Sequence, residues 1–350
     1  MLLSIYAYYL EIRIFSFQLL SKLVHLLFAL SLLFMTACSE LSKTSQPKSV
    51  KVVLAAEMSL LPSTVWVAEA RGFFTAHNIE LEIREFDSGR NALETMLADD
   101  SINIATVAQT PVVFNSFNNE SYVIFATMAY SIDDIKVLAL KERGINSARD
   151  LIGKKIGVTK RSTGHYFLEG YLAHFGLTLN DVVLHDINAS ELQKKLFSKE
   201  MDAITSWEPH IDNAFQQFGE EQLTLLVSPT PFRKDFYFTS RPEYVSDSNE
   251  SVQRFLTALV DAEKFIKDNP KISQDIVAQK LGKSTDFIKN IWNVFTFEIT
   301  LEQSILVNLE NEAIWAANLS GEKKQVPNYL DYIDIKPLLK VKPLGVNIIH

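Results

Sequence analysis

The chain has 350 residues, 47 % hydrophobic and 22 % charged, with a formal net charge of −8. That acidic balance, with no Lys/Arg-rich run and no interleaving of arginine with aromatics, argues against a nucleic-acid partner. The length is too great for one compact core of ordinary size and suits two lobes.

The first element is an apolar run, Leu23 to Ala37, entered past Arg13 and Lys22 and closed by Cys38, the only cysteine. It has the length of a signal-peptide core and is short for a membrane span. From Ser39 to Ser49 the chain is polar, as a tether between a lipid surface and a globular body must be. Leu33-Phe34-Met35-Thr36-Ala37-Cys38 resembles a bacterial lipoprotein signal, which implies a lipidated Cys38 and a membrane anchor on the outer face. A lone cysteine cannot form an internal disulfide. Two features depart from the pattern. The segment before the run is long and apolar and carries Glu11, and Met35 stands where a branched aliphatic residue is usual. The alternatives are a later translation start, an uncleaved anchor over Met1 to Ala37, a cleaved soluble form, or a buried cysteine.

From Lys51 on, strands and helices alternate. Lys51-Val-Val-Leu-Ala-Ala56 is a continuous apolar run, expected to be a strand buried on both faces. Pro62-Ser63 opens a helix that stops at Gly72. Ile79, Leu81 and Ile83 alternate with charged residues and predict a strand. A helix follows from about Arg90 to Ala98, then a strand over Ile102 to Ala108, a helix from Pro111 to Phe117, and a strand over Tyr122 to Tyr130. This alternation predicts a sheet of parallel strands covered by helices on both faces.

A second set begins near Ile135. Its expected strands are 135–140, 155–159, 182–187, 202–206 and 223–227, and its helices 164–175, 191–197 and about 209–218. After a last strand, Phe236-Tyr-Phe-Thr239, the chain reads as helical to about Leu319. Ser251 to Lys267 is the clearest case, an apolar stripe ended by Asn269-Pro270. The block 136–227 reads as a second lobe inserted into a first lobe made of 50–130 and 235–350. Chain crossings near 129–135 and 228–236 would form a hinge. Residues 1–37 are read as signal and 38–49 as lipidated tether. Ligands of open α/β sheets bind beyond the carboxyl ends of the strands, so a cleft is expected there.

Five segments in order carry a resemblance. They are Trp66-Val67-Ala68-Glu69-Ala70-Arg71-Gly72-Phe73-Phe74, Ile104 to Pro111, Leu151-Ile152-Gly153-Lys154-Lys155-Ile156-Gly157-Val158, Arg161 to Leu168, and Met201-Asp202-Ala203-Ile204-Thr205-Ser206-Trp207-Glu208-Pro209. They resemble the periplasmic solute-binding proteins of the nitrate, sulfonate, taurine and thiamine-precursor group. Asn103-Ile104-Ala105 departs from the acid and glycine usual in the second segment. The resemblance spans about residues 50 to 240. It implies an α/β, two-lobed periplasmic-binding-protein type II fold with a ligand cleft between lobes and a helical C-terminal region. It also implies an ABC-importer permease as partner.

Candidate ligand residues sit at strand-to-helix turns. Ser162, Thr163 and Gly164 combine hydroxyls, a close-approach glycine and free helix-start amides, a cradle for an anion or polar group. An ordinary N-cap needs only one of them. Gln109 and Thr110, before Pro111, form a similar turn. Ser88 and Gly89 form a third, where Arg90 is either an anion partner or a solvated surface residue. Ser59 and Leu60 follow the first strand. Beside them Glu57 would repel an anion and suit an amine, or serve as a salt-bridged rim acid. Trp207 is either a stacking wall or a core tryptophan. Glu208 starts a helix, where the dipole favours acids in any case. His165 or Tyr166 is a candidate cleft donor. His165 and Glu169 have metal-compatible i, i+4 spacing, but no further His or Cys cluster supports a metal.

No nucleophile elbow, phosphate loop, dinucleotide fingerprint or H-E-x-x-H motif occurs, so no catalytic residue, cofactor or metal is assigned. The expected function is an extracytoplasmic receptor that delivers a sulfonate, nitrate, taurine or similar small polar molecule to an ABC importer. The alternatives are a receptor for a thiamine-precursor pyrimidine or an amine, a pyrimidine-synthesising enzyme on the same fold, and a lipoprotein scaffold using its late helices.

Overall fold

The computed structural model describes residues 48–118, 121–247, 249–319 and 324–349. The signal, Cys38 and the tether up to Pro47 lie outside the described residues. Ser49–His350 forms one compact unit.

The chain begins with β1 (Val50–Glu57), α1 (Ser63–Ala70), α2 (Phe73–Ala76), β2 (Ile79–Phe86), α3 (Gly89–Ala98), β3 (Ile104–Ala108), α4 (Gln109–Ser116) and β4 (Val123–Ser131). It crosses to β5 (Ile135–Leu140), β6 (Lys155–Val158), α5 (Thr163–His174), β7 (Val183–Asp186), α6 (Ala189–Phe197), β8 (Ala203–Trp207), α7 (His210–Phe218) and β9 (Leu223–Leu226). It then returns through β10 (Lys234–Ser240), α8 (Pro242–Asp247), α9 (Asn249–Asp268), α10 (Pro270–Leu281), α11 (Thr285–Trp292), β11 (Phe295–Thr296), α12 (Ser304–Leu319) and α13 (Lys336–Val341).

Two sheets result, in the orders β11-β4-β10-β3-β1-β2 and β7-β6-β8-β5-β9. The expectation of parallel strands holds only in part. β1 is parallel to β2 and β3, and β6 is parallel to β7 and β8. β10 is antiparallel to both β3 and β4, β11 to β4, and β5 to both β8 and β9. The reason is topological. β4 carries the chain out of the first sheet and β10 brings it back beside β4, so neighbouring strands run in opposite directions without a crossover helix.

Burial follows the apolar patterns. Val52 through Ala56 are buried, as a strand covered on both faces requires. In β5, Ile135, Val137 and Ala139 belong to one core cluster, whereas Leu138 and Leu140 belong to the other. The period-2 alternation therefore feeds a core on each side of the second sheet. Helix α9 closes the first sheet, with Phe255 stacked on Phe74 at 5.5 Å and edge-on to Phe238 at 5.4 Å. Among the described residues no helix is long and apolar enough to cross a membrane.

Arg241, just past β10, ties the return to the α3–β3 connection. Its guanidinium donates to the carbonyls of Met96, Asp100 (3.2 Å) and Ile102 (2.6 Å). Arg241→Ala leaves those carbonyls without their charged donor. Hydrogen bonds to charged groups are worth roughly 1.5–3 kcal/mol, so urea unfolding should show a loss of about 2–3 kcal/mol.

Candidate functional site

A cavity of about 790 Å³ opens between the two sheets. Its lining comes from turns at the carboxyl ends of strands in both. Glu57 to Leu61 follow β1, Asp87 to Asn91 follow β2, and Thr110 and Pro111 follow β3. From the second sheet come Thr159 and Arg161 to Thr163 after β6, Asn188 to Ser190 after β7, and Trp207 to His210 at the end of β8. A side wall of Leu281, Phe287, Ile288, Ile291 and Phe295 comes from the helical return. Asp134 and Lys234, one on each crossing between the sheets, also line it.

These two residues form the floor. Lys234 Nζ lies 2.6 Å from Asp134 Oδ2, and both side chains are buried. Asp134 also accepts the Glu208 amide through Oδ1 at 3.1 Å. The Lys234 ammonium sits 4.8 Å from the Phe236 ring centre and 5.5 Å from that of Trp207. Glu57 Oε2 accepts the Gly89 amide at 3.0 Å. Burial pushes the Glu57 carboxyl above its ordinary range, opposed by Lys234 and the Gly89 amide. Burial likewise raises Glu208 to about 7, while the Asp212 amide opposes the shift. Desolvation lowers His210, favouring its neutral form.

Nine of the residues expected from sequence line this cavity: Ser59, Leu60, Ser88, Gly89, Thr110, Ser162, Thr163, Trp207 and Glu208. Several also have structural roles. Ser88 and Ser162 accept amides at the starts of α3 and α5. The Ser162 hydroxyl donates to the Thr159 carbonyl at 2.6 Å, which commits its proton to the turn. Gln109, Gly164 and His165 stand behind the lining. Gly164 lets the Trp207 ring approach, since a Cβ there would come 3.3 Å from it. His165 packs edge-on against Trp315 at 5.3 Å and accepts the Arg161 amide. Glu169 accepts the Trp315 indole N–H at 2.8 Å. Among the described residues no group of three or more His, Cys, Asp or Glu side chains is placed to hold a metal ion.

Gln109 belongs to a buried strut. Its amide donates to Glu312 on α12 at 2.7 Å, and its oxygen accepts the Asp235 amide at 2.9 Å. Thr110 donates to the other Glu312 oxygen at 2.5 Å and shares a hydrogen bond with Thr163, the first residue of α5. One carboxyl from the return thus meets the turns of both sheets. Burial raises Glu312 to about 7 despite these donors.

Sequence reading did not single out Asp134, Lys234, Glu312 or the α11 wall. The signal available for the first two was a charged pair, Asp133-Asp134, and a charged triplet, Arg233-Lys234-Asp235, at the two crossings between apolar strands.

A family model described as NMT1/THI5 like matches residues 63–273. The chain belongs to the NMT1/THI5-like family. A putative binding protein of Brucella abortus is 26 % identical over 219 residues, which span 61 % of this chain and 66 % of that relative. The taurine-binding periplasmic protein of Escherichia coli is 25 % identical over 232 residues, 65 % of this chain and 70 % of the relative. The crystal structure of the periplasmic aliphatic sulphonate-binding protein of Escherichia coli superposes with a TM-score of 0.70 at 15 % identity, covering 82 % of this chain and 98 % of its own. A desulfurization enzyme shares the fold at a TM-score of 0.64 and 16 % identity, over 84 % and 99 % of the two chains. The architecture of this NMT1/THI5-like chain is thus the two-lobed periplasmic-binding-protein fold.

Lys234→Met should cost about 3–5 kcal/mol in denaturant unfolding, because it strands a buried Asp134 charge. Pairing it with Asp134→Asn should recover most of that loss. Glu312 generates a pH effect. A raised carboxyl binds a proton in the folded chain, over roughly pH 4.5 to 7, that the unfolded chain has released. Its contribution is therefore full below the unfolded value and is lost as pH rises through about 7, by about 3 kcal/mol at most. Urea midpoints at pH 5 and pH 8 should differ less in Glu312→Gln than in the native chain.

Proposed function

We propose that this chain is an extracytoplasmic solute-binding receptor that captures a small polar molecule and presents it to an ABC importer. The observation that carries the reading is the cavity lined by strand-end turns of both sheets. The family and the names of the relatives favour transport, with a sulfonate, nitrate, taurine or similar compound as ligand. The start of α5 at Thr163 suits such a polar group. Binding rather than catalysis is the role proposed.

In this reading residues 50–130 with 235–350 form one lobe and 136–227 the other. The crossings near 129–135 and 228–236 act as the hinge. A ligand touching turns of both lobes gains contacts only when they are together, so it shifts the equilibrium toward closure. The closed, loaded shape is what a permease would engage. Lipidation of Cys38 would hold the receptor beside that permease.

The test is a thermal-shift and calorimetry screen of the chain against sulfonates, taurine, nitrate, amines and pyrimidines, with turnover followed in parallel. Saturable, stoichiometric binding of one class without product formation is the expected result. Turnover would replace the receptor reading with that of an enzyme. Silence throughout would favour a scaffold.

A further inference from the structure

The depth of the cavity is acidic, and only its rim is basic. Three carboxylates line the interior, Glu57, Asp134 and Glu208, against one ammonium, Lys234. That ammonium contacts Asp134 directly at 2.6 Å. Arg90, Arg161 and Lys283 are exposed at the mouth, as is Asp87. An oxyanion driven to the floor would meet three acidic side chains and one fixed cation already paired to Asp134.

Glu57 stands out among the three. It sits at the carboxyl end of β1, and its backbone N–H donates to the Thr106 hydroxyl at 3.0 Å. Among the described residues its carboxylate takes the Gly89 amide and the Ser59 hydroxyl, both neutral donors. No cation touches it at ion-pair distance there, and Lys234 acts on it from further off while bound to Asp134. Gly89 holds the amide close. A Cβ at that position would come 3.0 Å from Val107 Cα and 3.2 Å from Glu57 Oε2. The chain therefore keeps a carboxyl group against the cavity, supported by an amide and a hydroxyl and, among the described residues, without a cation at contact distance. Trp207 and Phe236 line the same space, where their rings already face the Lys234 ammonium at 5.5 and 4.8 Å.

Resting on the receptor reading above, we propose that the ligand carries a protonated amine, seated in the cavity against Glu57. A second, anionic group on the same ligand would face outward to Arg90 and Arg161. This polarity assigns the ammonium to the first sheet's turns and leaves the helix-start amides of α5 to the other end of the molecule.

Matched pairs test it. Taurine and isethionate share a sulfonate and differ by amine against hydroxyl, as do 2-phenylethylamine and 2-phenylethanol without the sulfonate. Titration calorimetry on the native chain should show the amine member of at least one pair binding at least tenfold tighter than its hydroxyl partner. Glu57→Gln, which retains an acceptor for the Gly89 amide, should reduce that preference to less than twofold. Equal affinity within each pair that binds, or a Glu57→Gln variant that binds isethionate more tightly and keeps the amine preference, overturns the assignment. Methanesulfonate or nitrate binding with no amine preference would sink the ammonium site yet leave the receptor intact. No binding by any of these six compounds would overturn the ammonium site, and silence across the wider panel, pyrimidines included, would overturn the receptor as well. If Glu57→Gln does not fold, the pair ratios on the native chain decide alone.

Discussion

The buried pair Lys234–Asp134 holds the architecture together where the chain passes between its two sheets. Asp134 ends the outward crossing and Lys234 begins the return, so a contact of 2.6 Å locks the two passages side by side. An ion pair at such depth carries a desolvation penalty, and breaking it leaves a buried charge that nothing else matches. Its value therefore lies less in net stability than in position. It lies at the end of the β4–β10 ladder, places Phe236 and Trp207 around the ammonium, and anchors the Glu208 turn through the second Asp134 oxygen. The next residue continues the device. Asp235 accepts from Arg233 at 2.8 Å and from Asn308 on α12 at 3.0 Å, and Arg233 also reaches Glu302 at 2.7 Å.

Around that floor the strand ends converge. A strand that stops at a glycine or hydroxyl turn brings the start of the next helix to the sheet edge. Three such turns from one sheet and three from the other face a single space. Helix α12 adds a second connection behind them. Glu312 receives Gln109 and Thr110 from the first sheet, and Thr110 hands the network on to Thr163 of the second. The contact between the sheets thus combines these hydrogen bonds with aromatic packing of His165 and Tyr166 on Trp315.

Local sequence carried most of the elements. The apolar run at β1, the alternation at β2 and the stripe of α9 each matched the period of the structure they form, since 2.0 and 3.6 repeats are properties of short segments. Turn residues were legible for the same reason. Ser88, Ser162 and Gly89 mark strand-to-helix steps by their own chemistry, and such steps gather at one edge of a sheet. Gln109, Gly164 and His165 were legible as turn residues too, but whether a turn residue faces the cavity or the layer behind it depends on packing. Here each supports a neighbour: Gln109 holds Glu312, Gly164 admits the Trp207 ring, and His165 backs onto Trp315.

The sequence by itself determined the alternating α/β order, the presence of two sets of strands and the turns able to meet a ligand, because each depends on residues close together in the chain. Tertiary structure alone decided that β10 enters antiparallel between β3 and β4, that α11 walls the cavity, and that Glu312 reaches Thr110 from 202 positions away. It also decided the charge of the floor. Glu57 and Glu208 were legible as acids at strand ends, but Asp134 and Lys234 were not singled out, and only folding gathers all four around one cavity.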